Sequence, residues 1–290
     1  MSTQITDAFV EQYSSNVTML AQQMGSRLRA SVDVENVRGK NAFFDQIGVT
    51  AAVARTTRHG DTPRVNTPHS RRRVSLADFE WADLIDDLDK VRMLVDPTSS
   101  YAKAAAAAMN RSIDDTVIAA LGGTAQTGVA GGTGTVLPST SKFATTQQAD
   151  GLTLAKLLAA KHFFDAGDVD PSIKRYIVCG AKQIQDLLNT TEIKNSDFNT
   201  VKALAQGDIN SFLGFEFIMS NRLAFDATNT DDRLCFAYTQ DAVKLAIGAD
   251  VKAKISERDD KSYATQVYYS MALGATRMEE SKVFQIPCDE

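Results

Sequence analysis

Residues 96–123, DPTSSYAKAAAAAMNRSIDDTVIAALGG, predict one long helix with both of its ends marked in the sequence. Asp96 can accept hydrogen bonds from the free N–H groups of a first helical turn, and Pro97 is tolerated there because its missing N–H is not needed. The alanines at 104–108 form a helix at the lowest cost of any residue type. Gly122 supplies the left-handed backbone that commonly ends a helix. The rest of the chain is expected to pack around this helix.

The predicted helix has a single apolar stripe, since apolar residues recur along it every four positions. A helix of about 24 residues spans roughly 36 Å, which is about the width of a domain. The stripe is predicted to pack on strands from the C-terminal part of the chain. It consists of Tyr101, Ala105, Met109, Ile113, Val117 and Leu121. Four charged residues are expected to face solvent or a neighbouring subunit, namely Lys103, Arg111, Asp114 and Asp115.

The composition is that of a globular protein of one large or two modest domains, with 290 residues, 43% of them apolar and 23% charged. A net charge of −5 argues against a dedicated nucleic-acid-binding protein, which would carry a basic domain. The sequence has no run of eighteen apolar residues, so it predicts no transmembrane helix and no membrane partner is expected. The three cysteines are far apart, which indicates reduced thiols made in a cytosol.

The region 49–74 is strongly basic, and Asp61 is its only acidic residue. Gly60, Pro63 and Pro68 interrupt it, and its valines and threonines favour extended chain. The sequence predicts two long strands joined at residues 60–68, forming a projecting hairpin with little core of its own. Its candidate contact residues are Arg55, Arg58, Arg64, Arg71, Arg72 and Arg73.

The next twenty residues reverse the charge, and their candidate contact residues are Asp83, Asp86, Asp87 and Asp89. A two-stranded hairpin has little stability in water by itself. One interpretation places the basic hairpin on the acidic surface of a neighbouring subunit. The other makes it a solvated loop with salt bridges of its own, each worth little. The charge pattern alone leaves both open.

Other segments have simpler patterns. Residues 9–28 predict an amphipathic helix that packs on protein. Residues 122–134 are rich in glycine but lack the Gly-Lys-Ser/Thr ending of a phosphate loop and follow a helix, so they predict a flexible loop. The middle third, residues 124–248, predicts an α/β or α+β domain with helices at 152–165 and 181–188 and strands at 175–179 and 215–219. Residues 235–238 and 243–247 are each predicted to be a further strand or a short helix. In the first of these helices Leu154, Leu157, Leu158 and Phe164 are expected to face inward.

The last forty residues are predicted to be strands, because apolar and polar residues alternate at 251–255 and 267–273. Gly274 is expected to end the second of these strands, and residues 283–286 add a short edge strand.

The sequence offers little material for catalysis. The three histidines lack metal-ligand spacing and no Cys-x-x-Cys is present, so no catalytic residue, cofactor or metal site is predicted. Two alternatives remain open. One is a small α/β enzyme whose site lies in the middle domain around Cys179 and the glycine-rich loop. The other is a nucleic-acid-binding module that uses the arginine-rich hairpin.

Several segments, in their order and spacing, resemble the major capsid proteins of tailed bacteriophages, which have the HK97 fold. The resemblance extends over nearly the whole chain. It rests on residues 60–63 and 67–74 in the hairpin, 79–85, 96–98 and 110–115 around the long helix, and 213–215, 274–277 and 279–283 further on.

The resemblance implies an α+β, HK97-like fold. Its parts would be an N-terminal arm with an amphipathic helix (1–48), an extended β-hairpin loop (49–75), a peripheral domain with a long spine helix (76–123), an axial domain (124–248) and the return strands of the peripheral domain (249–290). Some relatives cross-link through a lysine in the extended loop. Since no lysine lies between Thr50 and Val74, that cross-link is not expected here.

The resemblance also implies a function. The chain would self-assemble through pentamers and hexamers into an icosahedral shell around the double-stranded DNA of a tailed phage, with no enzymatic activity. Its partners would be other copies of itself, a portal protein, a separate scaffolding protein, a decoration protein where one is used, and DNA held weakly and without sequence preference on the inner face. The protein would be made in the bacterial cytoplasm and reside in the virion. The alternative within this fold is an encapsulin-like or prophage-derived compartment shell.

The stripe of the long helix gives a testable prediction. Substituting Met109→Asp or Ile113→Asp places an unpaired charge in the core and should abolish folding. Lys103→Asp, off the stripe, is the control and should leave folding intact. Soluble, assembly-competent protein from either stripe variant would show that the stripe is not core. Solubility and circular dichroism of the purified variants measure the effect.

Overall fold

The computed structural model describes residues 22–86, 98–144, 150–189, 211–227, 229 and 231–290. Within them lie three α-helices, namely α1 (Thr98–Gly122), α2 (Leu154–Ala166) and α3 (Ala181–Asn189). The strands are β1 (Asp33–Asn36), β2 (Asn41–Ile47), β3 (His69–Ser75), β4 (Ala77–Ile85), β5 (Ala125–Thr127), β6 (Thr133–Thr135), β7 (Arg175–Cys179), β8 (Ser211–Phe212), β9 (Phe215–Met219), β10 (Asp232–Thr239), β11 (Val243–Arg258), β12 (Ala264–Arg277) and β13 (Val283–Asp289).

These strands form three sheets, in the orders β1-β11-β12-β4, β13-β10-β7-β9-β8 and β2-β3-β5-β6. Most pairs are antiparallel, but β1 runs parallel to β11 and β7 runs parallel to β9. Mixed sheets with few helices confirm the predicted α+β class.

The chain divides into two compact units. The first contains Asp78–Ser112 and Ala249–Met271 together with the described residues up to Ser26, and the second contains Arg27–Ala77, Ile113–Gly248 and Ala272–Glu290. The helix α1 and the strands β11 and β12 therefore each contribute residues to both units. The domain limits predicted from the sequence stay a prediction.

The core of the second unit is built on the five-stranded sheet. All five residues of β7 are buried, as are six of the seven in β13. The helix α2 packs on this sheet through Phe163, whose ring centroid lies 4.9 Å from that of Phe284, and through Phe164, whose centroid lies 6.0 Å from that of Phe215. The predicted helices and strands of the middle third are confirmed. Leu158 is an exception, since 48% of it is exposed rather than facing inward.

The apolar stripe of α1 is confirmed. The exposed fraction of Ala105, Met109, Ile113, Val117 and Leu121 is 2% or less in every case. The helix ends at Gly122, but Gly122 is its last helical residue and lacks the positive φ of the predicted left-handed cap. The residues predicted to cap its start, at 96 and 97, lie outside the described part of the chain.

Asp114 differs from the prediction. It was expected to face solvent or a neighbour, but it is fully buried. Its carboxylate accepts hydrogen bonds from the backbone N–H of Arg27 and of Leu28, each at 3.1 Å. Burial is tolerated because backbone donors satisfy the charge, which tightly fixes the chain before β1 to the helix. Asp115, the next residue, is half-buried and forms an ion pair with Arg222.

Three other predictions are corrected. Residues 22–28, the described part of the predicted N-terminal helix, are not helical. The glycine-rich stretch is a hairpin of β5 and β6, not a flexible loop. The strand β12 does not end at Gly274 but runs on to Arg277. Gly274 is needed for close packing, because a Cβ added there would lie 2.4 Å from the carbonyl oxygen of Ser75.

No helix in the described residues is both long enough and apolar enough to cross a membrane.

Asp114 and Asp115 provide a matched pair for measuring what the buried carboxylate contributes. Asp114→Ala leaves two N–H groups without their acceptor and should lower the free energy of unfolding by about 2–4 kcal/mol. Asp115→Ala removes a surface ion pair and should cost less than about 1 kcal/mol. Denaturant unfolding of the unassembled subunits measures both. Equal losses would show that Asp114 does not fix the chain before β1.

Candidate assembly surface

The basic hairpin has a short paired base rather than the two long strands predicted. The strands β2 and β3 pair antiparallel over seven residues each. The N–H of Gly48 then donates to the carbonyl oxygen of Pro68 at 2.8 Å and closes this ladder. Residues 49–67 contain no strand. Pro63 and Pro68 have no N–H to donate, which is one reason the ladder does not continue. The strand β2 itself was missed by the sequence analysis.

Residues 49–67, named here the projecting loop, are exposed at every position up to 66. The loop holds three of the predicted contact residues, Arg55, Arg58 and Arg64. Across the described residues none of these three guanidinium groups forms an ion pair, and Arg55 donates only to the carbonyl oxygen of Thr57, at 2.9 Å. The loop therefore presents positive charge that no described residue of its own subunit neutralises.

Arg71, on β3, is neutralised within its own hairpin. It forms an ion pair with Asp45, the residue directly opposite on β2. Its guanidinium also lies 5.5 Å from the ring centroid of Phe43. The hydrogen bond from Arg71 holds the pKa of the Asp45 carboxyl below its ordinary value. For Arg71, the interpretation of a loop with its own salt bridge applies.

Arg72 points the other way and is 7% exposed. Its Nε donates to the carbonyl oxygen of Met278 at 2.9 Å, and one terminal nitrogen donates to both carboxylate oxygens of Glu280 at 2.8 and 2.6 Å. The structure thus places Arg72 inside its own subunit rather than on a surface that a neighbour could reach. Alternation of side chains along a strand explains why Arg71 and Arg72 face opposite sides of the sheet.

Glu280 is shared with a second buried guanidinium. The Nε of Arg277 lies 3.5 Å from the Glu280 carboxylate, and Arg277 is fully buried. Arg277 also donates to the carbonyl oxygens of Leu121 at 3.0 Å, Gly123 at 2.7 Å and Thr135 at 3.1 Å. Burial lowers the pKa of Arg277. This cluster joins the base of the hairpin to the end of α1 and to β6.

Arg73 is half-buried and packs against the turn between β5 and β6. Gly131 in that turn has a φ of +64°, and a Cβ added there would lie 2.5 Å from the Cβ of Arg73. The turn therefore requires glycine. Of the six predicted arginines, the three on the projecting loop are exposed and form no ion pair among the described residues, whereas Arg73 forms none either but is half-buried.

The acidic candidates lie on β4 and just after it. Asp83 is half-buried on β4 and Asp86 is exposed, while Asp87 and Asp89 lie outside the described residues. Glu80, also on β4, accepts a hydrogen bond from the hydroxyl of Tyr268 at 2.9 Å, which raises the pKa of that hydroxyl. The sequence analysis missed that this acidic segment is a strand. Within one chain, the loop arginines and these carboxylates belong to different compact units.

The alternative site around Cys179 has no support in the geometry. All three cysteines are fully buried. Burial raises the pKa of the Cys179 thiol to about 12, and a hydrogen bond with Cys288 raises that of Cys235. The thiols of Cys179 and Cys235 therefore stay protonated at neutral pH, whereas a nucleophile must be a thiolate. In the part of the chain that the structure describes, no three His, Cys, Asp or Glu residues are placed to hold a metal ion.

Solved phage structures match the chain along nearly its full length. The capsid of cyanophage P-SCSP1u matches with a TM-score of 0.77 at 17% identity, covering 99% of this chain and 94% of that one. Mycobacterium phage Che8 matches with a TM-score of 0.70 at 16% identity, covering 96% and 97%. The cyanophage Pam1 capsid matches with a TM-score of 0.71 at 14% identity, covering 98% and 97%. No curated protein sequence matches the chain.

The fold is that of a capsid shell subunit of the HK97-like class. The chain belongs to the phage capsid protein family, whose model matches residues 5–290. It is a structural protein, a major capsid protein whose copies assemble into the icosahedral shell of a bacteriophage virion.

Arg72 and Arg71 test whether one arginine of β3 stabilises the core of the subunit while its neighbour lies on the surface. Arg72→Ala leaves Glu280 with one buried partner and should lower the free energy of unfolding by about 2–3 kcal/mol. Arg71→Ala removes an exposed ion pair that water screens, so it should lower the free energy of unfolding much less than Arg72→Ala does. Thermal and denaturant unfolding of unassembled subunits compare the two. A loss at Arg71 as large as that at Arg72 would contradict the assignment of Arg72 to the core.

Proposed function

We propose that the projecting loop of one subunit lies across the acidic β4 segment of a neighbouring subunit and sets their register and orientation in the shell. The observation that supports this is the uncompensated charge of Arg55, Arg58 and Arg64 on an exposed loop. Opposite charges across an interface contribute mainly specificity and orientation. Apolar contacts elsewhere supply more of the binding energy.

The acidic side of the contact is proposed to be β4 and the residues after it, from Asp83 to Asp89. Asp78 and Glu80 are exposed on the same strand and add to its negative charge. A contact between two different surfaces of the same chain is heterologous, and such contacts form closed rings when the rotation between subunits closes. The rings proposed here are the pentamers and hexamers of the shell.

The remaining roles follow from the same proposal. The shell encloses double-stranded DNA, and its inner face holds that DNA weakly, which agrees with a net charge of −5. A portal protein and a separate scaffolding protein are the proposed assembly partners, with a decoration protein where one is used. The subunit is made in the host cytoplasm and has no catalytic activity. The buried, protonated thiols support that last point.

Charge reversal of the loop tests the contact. The variant Arg55→Glu, Arg58→Glu, Arg64→Glu should fold normally, because all three side chains are exposed. Each lost pair is worth up to about 1 kcal/mol, so three together weaken the contact on the order of a hundredfold. The expected result is subunits or small oligomers in place of shells. Sedimentation and negative-stain electron microscopy of the purified protein measure the yield.

Two controls separate charge from other effects. The variant with lysine at the same three positions keeps the charge and should assemble at near-normal yield. Adding Asp78→Lys and Asp86→Lys, both at exposed positions, to the glutamate variant restores opposite charges and should recover shells. Shells at normal yield from the glutamate variant would overturn the proposal.

A further inference from the structure

We infer that this contact is made through the main chain as well as through charge, with residues 49–56 of the loop pairing as an added strand on the free edge of β4 in a neighbouring copy. The inference rests on the proposed function and names the part of each subunit that meets the other. It converts a contact between charged side chains into an extension of a β-sheet across the subunit boundary.

No strand pairs with the second edge of β4 among the described residues. Among the described residues, β4 is the last strand of its sheet and pairs only with β12. Its nine residues, Ala77–Ile85, therefore present a row of backbone N–H and C=O groups on the other side. An open edge of this length is a template for pairing with another chain. The charges on an edge strand restrict which segment can pair with it. Because β4 has three acidic residues, pairing with the β4 strand of another copy is disfavoured.

Residues 49–56 have the properties of the missing strand. All eight are exposed, and across the described residues none of them takes part in a backbone-to-backbone hydrogen bond. They contain no proline, and half of them are valine or threonine, which suit a strand. Their length matches the nine residues of β4. Val49 is 98% exposed and Val53 58%, apolar surface that an unpaired loop would leave in water.

Alternation along both segments supports the match. On β4, Asp78, Glu80, Ala82 and Leu84 are exposed on one face, whereas Phe79, Trp81 and Asp83 on the other are half-buried. In the loop segment, Val49, Ala51, Val53 and Arg55 share one face and the other face has only alanine and threonine. Pairing that puts the first set on the exposed face of β4 brings Arg55 to the carboxylates. The same pairing brings the two valines toward Leu84, which is 44% exposed.

A proline scan tests the main-chain part of the contact. In an added edge strand only every second N–H points toward β4, so proline should be harmful at alternate positions. The variants are Thr50→Pro, Ala51→Pro, Ala52→Pro, Val53→Pro and Ala54→Pro. The even-numbered positions form one set of variants and the odd-numbered positions the other. We expect proline in one set to lower shell yield at least about tenfold, which is the effect of one or two lost hydrogen bonds. The variants of the other set should assemble near normally.

Folding is controlled within the same experiment. Because these residues make no backbone hydrogen bonds in the described subunit, all five variants should unfold at the wild-type temperature before assembly. Thr62→Pro, in the same loop but outside the paired segment, is the matched control and should assemble normally.

Hydrogen exchange on wild-type shells gives an independent measurement. Alternate amides between residues 49 and 56 should be protected in shells and unprotected in free subunits, while residues 60–66 should exchange rapidly in both. If neither the shell yields of the proline variants nor the protection of the amides alternates from one residue to the next, main-chain pairing is overturned. If the charge reversal and its rescue still behave as expected, the loop contact stands without it. If neither charge reversal nor proline affects assembly, both proposals fail.

Discussion

The carboxylate of Glu280 is the charge on which the arrangement around the hairpin base depends. It neutralises two guanidinium groups, those of Arg72 and Arg277, that are almost completely removed from water. Without it, two like charges would lie close together where water cannot screen them, and removing one partner of a buried ion pair is strongly destabilising. Arg277 in turn occupies the carbonyl groups that α1 leaves unpaired at its end. One acidic side chain therefore joins the hairpin, the long helix and the C-terminal strands.

This constraint explains how the basic charge of the hairpin is distributed. Arginines at the base are used for folding: Arg71 against Asp45, Arg72 against Glu280, and Arg73 against the turn at Gly131. Arginines beyond the paired ladder have no such partner in the described residues and remain on the surface. A fixed base with a charged, unpaired end suits a segment that must meet another subunit in a defined direction. The residues that stabilise the fold and those of the proposed assembly contact are thus different residues of one short segment.

The elements that follow from local periodicity were predictable from the sequence. The stripe of α1, the buried strand β7 and the helices α2 and α3 each have a pattern that local packing alone decides. Asp114 could not be predicted, because its burial depends on the N–H groups of Arg27 and Leu28, which lie 86 and more residues away in the chain. The hairpin of β5 and β6 was hidden for a similar reason. Its glycines indicate flexibility locally, but pairing with β3 and packing against Arg73 hold it in one conformation.

The candidate surface was predictable as a charge pattern and not as a set of contacts. The six arginines between residues 55 and 73 look alike in sequence. The structure places three of them on an exposed loop and puts Arg72 on the opposite side of its strand from Arg71 and Arg73. The acidic segment gave no indication of being a strand, since its alternation combines carboxylates with aromatic residues.

The three cysteines are the only ones in the sequence, and every one of them is sealed in the five-stranded sheet. A particle built from this chain therefore has no surface thiol that could join one copy to the next by a disulfide. For the same reason, a cysteine introduced at an exposed loop position would be the one reactive thiol of each subunit. The shell would then carry one reactive thiol per subunit, at the spacing of the subunits in the shell.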